Sequence, residues 1–273
     1  MHGGHQRIDV EWLALAAGLK PAIRIAATAL EASAIAGRFQ AMGAAVVTAR
    51  GPVGVHRHEH TLVYVARDPE AAAAARAAER PLLATHLPPR DKAYYAGELG
   101  RRLGYPRCCV DAFTARILRG PGKLRAGDRD SVHEDYVAAR DAFVARPDWR
   151  LNNLLLRQHL RLVTFEPCRY DCGLALAFAA EVLRLCQASD APAAHVLVDR
   201  LQRPLVLTAA GARAWARLDR GTTPVRVVAA EAPRATDPAA RPDPADEALA
   251  ARLPRLALSE LGDPPPLLLD FSA

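Results

Sequence analysis

The sequence predicts a mixed fold of the α/β class, with α+β as its variant. It would comprise a helical, cysteine-bearing core, a small flanking α/β unit and a disordered C-terminal tail. Three observations lead there. Helical and strand-like apolar spacing alternate over the first ninety residues, the stretch from Pro88 to Gln187 reads as mostly helical, and prolines crowd the chain after Glu231. The expected division is 1–87 for the α/β unit, 88–230 for the cysteine-bearing core and 231–273 for the tail.

Taken in order, Leu30 to Met42 has helical spacing and ends at Gly43, before the β-type run Ala45-Val46-Val47-Thr48. Thr61 to Val65 reads as a second strand. Pro69 to Glu79 reads as a helix capped by Asp68, with proline at its first position. Asp91 to Leu103 is a helix closed by Gly104, and another runs from Val110 to Leu118. After the break at Gly120-Pro121-Gly122, Asp130 to Ala145 is helical and Leu160 to Phe165 reads as a buried strand. Gly173 to Cys186 is the next helix. His195 to Val198 and Pro204 to Thr208 are strand candidates, Ala210 to Leu218 a short helix and Val225 to Val228 a last strand. In the tail, Asp246 to Leu253 has helical character, and Leu267 to Phe271 is read as a loose end rather than a docked one.

Chemistry concentrates in two short phrases, Gly104-Tyr105-Pro106-Arg107-Cys108-Cys109 and Phe165-Glu166-Pro167-Cys168-Arg169-Tyr170-Asp171-Cys172, which hold four of the five cysteines. Each puts thiols just after a proline, where a helix opens with unspent N–H groups and a positive dipole end that favours thiolates. Four positions apart on a helix, Cys168 and Cys172 would lie about 40° from each other on one face, while the adjacent Cys108 and Cys109 would diverge by about 100°. Zinc usually takes cysteines in C-x₂₋₄-C pairs, so the adjacent pair fits a larger iron–sulfur cluster better. The expectation is a four-thiolate site holding an iron–sulfur cluster, with zinc as the alternative. One shared site requires the four sulfurs to converge within about 7 Å. A metal-free thiol oxidoreductase using Cys168 or Cys108 is a competing reading, and an interaction protein with structural cysteines is another. Cys186 lies about 21 Å further along the second helix than Cys172 and belongs to the core.

Arg107 and Arg169 each adjoin a thiol, and are the residues expected to offset its charge or to hold an anionic ligand. Asp111 and Asp171 are candidate hydrogen-bond acceptors or acid–base groups beside them. Between Arg101 and Tyr170 there are 14 Lys/Arg against 8 Asp/Glu, an excess equal to the +6 of the whole 273-residue chain. That excess suits an anionic small molecule as well as it suits a solvated helical surface. His56, His58 and His60 would share one face of an extended strand, but without a fourth ligand they read as a polar strand edge. No phosphate-binding loop, nucleophile elbow or aromatic-interleaved basic run is present, so kinase, hydrolase and nucleic-acid-binding classes lack support. The apolar run Trp12 to Leu19 is short and follows Asp9 and Glu11, unlike a secretion signal, and no stretch is long enough to span a membrane. Five cysteines in such a chain suit a reducing cytoplasm.

The phrase from Leu103 to Phe113 resembles an uncharacterised prokaryotic family with a GYPxCC motif before an aromatic-containing helix. Pro167-Cys168 with Cys172 is similar to that family's second cysteine element. The resemblance covers roughly Ala93 to Leu185 and implies that the four cysteines form one functional unit; it brings no activity with it.

Overall fold

A computed structural model describes residues 9–53, 58–84, 87–119, 131–155, 160–221, 226–233, 242–255, 258 and 266–272. Helices and antiparallel strands are mixed in it, and the chain forms two compact units. One covers Glu11–Ser131; the other covers Val132–Ala273, together with the residues up to Val10. The boundary expected at 87/88 falls inside the first unit.

In the first unit, α1 (Val10–Ala16) leads to β1 (Ala22–Ala27), α2 (Ala29–Ala41), β2 (Ala45–Val53), β3 (His58–Ala66), α3 (Pro69–Glu79), α4 (Pro89–Arg102) and α5 (Arg107–Arg119). The strands form an antiparallel sheet in the order β1-β3-β2. Strand β3 is central, and Leu62 through Ala66 are all fully buried. Side-chain alternation sends Val63 and Val65 into a core with Leu15, Ile23 and Phe39. It sends Leu62, Tyr64 and Ala66 to the other face, against Ala72 and Ala75 of α3. Two caps define the helices that cover these faces. Thr28 and Glu31 close a reciprocal capping box at α2, and Asp68 accepts from the Glu70 amide at α3.

A polar network is sealed under that second face. The Glu79 carboxylate is 5% exposed and takes a two-pronged bond from Arg24 (3.0 and 2.7 Å) and one from the Tyr64 hydroxyl (2.9 Å). Burial, and then the charge of Glu79, push ionisation of Tyr64 well above the ordinary tyrosine value of 10.0. The unfolded chain therefore loses this proton at a pH where the folded chain keeps it. Stability is unaffected below the ordinary value and falls as pH rises above it. Urea midpoints measured from about pH 8 to pH 11 should decline above pH 10 more steeply for wild type than for Tyr64→Phe. Equal slopes would disprove the buried phenol.

The second unit contains α6 (Ser131–Asp141), α7 (Gly173–Ser189), α8 (Ala191–Leu201), β4 (Leu205–Leu207), β5 (Arg213–Asp219), β6 (Arg226–Glu231), α9 (Pro244–Arg252) and β7 (Leu267–Leu269). Its antiparallel sheet runs β6-β5-β4-β7. Val206, Ala214 and Ala216 on one face pack with Leu249, Ala250 and Leu253.

Several local expectations are corrected here. His195 to Val198 lies inside α8, not in a strand: Asp190 caps the Ala193 amide, and Ala194, Leu197 and Leu201 bury at helical spacing. Ala210 to Leu218 is not a helix. Gly211, at φ +79°, and bonds between Thr208 and Ala212 close a tight turn that sends the chain back as β5 beside β4. Leu160 to Phe165 is mostly buried but irregular: among the described residues no strand pairs with it, and the Asn153 side-chain amide donates to the Phe165 carbonyl instead.

The described part of the tail is ordered rather than loose. Pro244 stands at the start of α9 behind the capping residue Asp243, where proline is tolerated. Strand β7 adds to β4 in register Leu205↔Leu269, and Phe271 is fully buried. The prolines delimit short elements here; they do not prevent them. Among the described residues, no helix is long and apolar enough to cross a membrane.

Candidate metal centre

The first cysteine phrase is built as a helix-to-helix corner. Helix α4 ends in a Schellman arrangement: the Tyr105 amide donates to the Gly100 carbonyl (3.0 Å) and the Gly104 amide to Arg101 (3.1 Å). Gly104 has φ +76°, and a Cβ there would stand 2.6 Å from Cδ of Pro21. Two constraints thus demand glycine, one of conformation and one of space. Tyr105 packs toward the Leu62/Tyr64 core, and its ring lies 4.9 Å from Nζ of Lys20. Lys20, which is 2% exposed, is neutralised by Glu11 at 2.7 Å.

Pro106 then launches α5, its carbonyl accepting from the amides of Cys109 (2.9 Å) and Val110 (3.0 Å). Helices α4 and α5 pack closely because Gly100 has no side chain where Val110 sits and Gly97 none where Thr114 sits. Gly104→Ala should cost about 2 kcal/mol from backbone conformation alone, with the Pro21 contact added. Thermal unfolding should show a clear loss. An unchanged melting temperature would contradict this reading of the corner.

Cys108 and Cys109 occupy the opening turn of α5, as the sequence led one to expect. Cys109 is buried and Cys108 half-buried, with their sulfurs 4.0 Å apart.

The second phrase differs from its expected form. Cys168 and Cys172 do not sit four positions apart on a helix. Helix α7 begins at Gly173 with Cys172 as its N-cap residue, and Cys168 lies in the loop ahead of it. The Cys172 amide donates to the Arg169 carbonyl (3.1 Å), closing a turn that brings the chain back on itself. The Cys172 carbonyl accepts from Leu176 (2.9 Å), the first bond of the helix. Pro167 therefore opens a turn, not a helix.

Tyr170 anchors that turn. Its amide donates to Ala142 (3.0 Å), its carbonyl accepts from Asp148 (2.8 Å), and its fully buried ring meets Phe271 edge-on at 5.5 Å. Sequence reasoning passed over Tyr170, Tyr105 and Lys20. The repeated pattern of a proline and a tyrosine beside each cysteine pair was the available signal.

The Sγ atoms of Cys108, Cys109, Cys168 and Cys172 all lie within 4.8 Å of one another, well inside the limit of about 7 Å required of a shared site. This four-cysteine group is compatible with metal binding. Cys168 and Cys172 are half-buried, like Cys108.

The two arginines of the phrases find carboxylates within their own phrase. Arg169 holds Asp171 through two bonds of 2.9 and 2.8 Å. Those bonds raise the pKa of Arg169, as does nearby Cys168 to a lesser degree, and they lower that of Asp171. Arg107 stands 3.7 Å from Asp111, with both side chains mostly in solvent. Such exposed pairs add little to stability.

Cys186 is a core residue of α7 as expected, and burial pushes its thiol up to about 11. His56 and the side chains of His58 and His60 lie outside the described residues. No family model, curated protein or solved structure matches the chain.

Proposed function

We propose that this protein binds a single metal ion, zinc in first place, through the thiolates of Cys108, Cys109, Cys168 and Cys172. The observation that carries the reading is the mutual spacing of the sulfurs, none more than 4.8 Å from another. Four thiolates placed tetrahedrally about one ion at 2.3 Å stand about 3.8 Å apart. The thiolates of a four-iron cluster, each on a different iron, stand roughly 6 Å apart. The spacing thus favours the mononuclear alternative over the iron–sulfur cluster that the adjacent cysteines suggested.

Local structure supports the same conclusion. The opening turn of α5 and the turn closed at Cys172 each present two thiolates beside helix amides. Those amides, with Arg107 and Arg169, offset the net negative charge of a tetrathiolate ion. Four protein ligands leave no open position, which suits a site that contributes to folding rather than one that activates water. Treating the four cysteines as one unit also accords with the resemblance to the GYPxCC family.

Metal analysis of protein purified without oxygen should return about one zinc per chain and a colourless sample. Exchange with cobalt should produce the intense visible bands of a tetrahedral tetrathiolate. A brown protein carrying iron and sulfide would return the assignment to the cluster, and no metal at all would move the metal-free dithiol reading ahead.

A further inference from the structure

A second site lies on the four-stranded sheet of the Val132–Ala273 unit and uses none of the cysteines. Trp215 and Arg217 are two apart on β5 and project to the same face, and register places Glu231 and Ala229 of β6 opposite them. Together with Arg203 and Arg220 they line a groove of about 470 Å³, within the range of small-molecule sites. The small side chain of Ala229 leaves the space beside Arg217 open.

The three guanidiniums differ in what holds them. Arg203 lies over the Trp215 ring at 5.0 Å and binds Asp199 (2.8 Å) and Glu231. Arg220 binds Asp270 at 3.0 and 2.8 Å and the Ser272 hydroxyl. Arg217 is exposed and has no carboxylate or other hydrogen-bond partner among the described residues. It presents a planar array of donors suited to two oxygens at once, in a groove it shares with two guanidiniums already held by carboxylates.

We propose that this groove binds a small molecule through an oxyanion group, a carboxylate or a phosphate, seated on Arg217. Arg203 and Arg220 set the position of that group without giving up their own partners. Pro204, Leu218 and Ala229 supply the apolar wall against which the rest of the molecule rests.

Trp215 provides the readout. It is 5% exposed, and its indole N–H has no hydrogen-bond partner among the described residues. Its resonance can be assigned by its loss in Trp215→Phe. Titrating ¹⁵N-labelled full-length protein with inorganic phosphate, and separately with malonate, at constant ionic strength should move that resonance saturably for at least one of the two. The response to phosphate relative to malonate tells which oxyanion is preferred. Arg217→Gln should weaken the responding titration at least tenfold while leaving the rest of the spectrum and the bound metal unchanged. If neither anion produces a saturable shift, if chloride at the same ionic strength reproduces it, or if Arg217→Gln titrates like wild type, the proposal is overturned.

Discussion

Cys168→Ser is expected to abolish binding of the metal proposed for the four-thiolate site. A serine oxygen replaces one of four thiolates, and three ligands hold the ion far less tightly than four. Metal content after dialysis against a mild chelator should fall from about one per chain to near zero. Stability should fall with it, because an ion that binds only the folded state contributes about 4 kcal/mol when its free concentration is a thousand times its dissociation constant. Serine at Cys108, Cys109 or Cys172 should do the same, since all four sulfurs lie within 4.8 Å of each other. Cys186→Ala is the control: it trims a buried core thiol and should leave metal content intact. If the Cys108 and Cys109 variants keep the metal while the Cys168 and Cys172 variants lose it, the shared site is refuted.

The second large effect is expected at the C-terminus. Phe271 is fully buried and packs edge-on against Tyr170, the residue whose backbone ties the second cysteine turn to Ala142 and Asp148. Phe271→Ala should therefore cost about 3–5 kcal/mol and loosen the turn that presents Cys168 and Cys172. Truncation after Ala232 removes α9, β7 and Phe271 together and should be more damaging still, since the sheet face formed by Val206, Ala214 and Ala216 loses its cover. Thermal unfolding with parallel metal analysis checks both. A truncated chain that melts with wild type and keeps its metal would restore the reading of the tail as dispensable.

Legibility from sequence followed the range of the interactions involved. Helices α2 and α3 were readable because their signals are local, the Thr28/Glu31 box and the Asp68-Pro69 start. The corner at Gly104 was readable as a helix end, but its dependence on Pro21 was not, since that contact joins residues far apart in the chain. β5 was mistaken for a helix because what fixes it is the turn at Gly211 and the neighbouring strands, none of which shows in its own apolar spacing.

The same distinction governs the site. Four thiols in two proline-led phrases marked the residues, and the opening turn of α5 took its expected form. The turn at Cys172 did not, because the anchoring of Tyr170 depends on Ala142, Asp148 and Phe271. The preference for a cluster over one ion was likewise a local inference. It rested on the directions of adjacent side chains on an ideal helix, whereas the sulfurs of Cys108 and Cys109 lie 4.0 Å apart, close enough for a single ion.

X-ray absorption at the edge of the bound metal is the decisive measurement for one ion held by four sulfurs. Four sulfur neighbours at about 2.3 Å and no second metal in the scattering are expected. Fewer sulfurs, nitrogen or oxygen in their place, or a metal–metal distance from a cluster would contradict that arrangement.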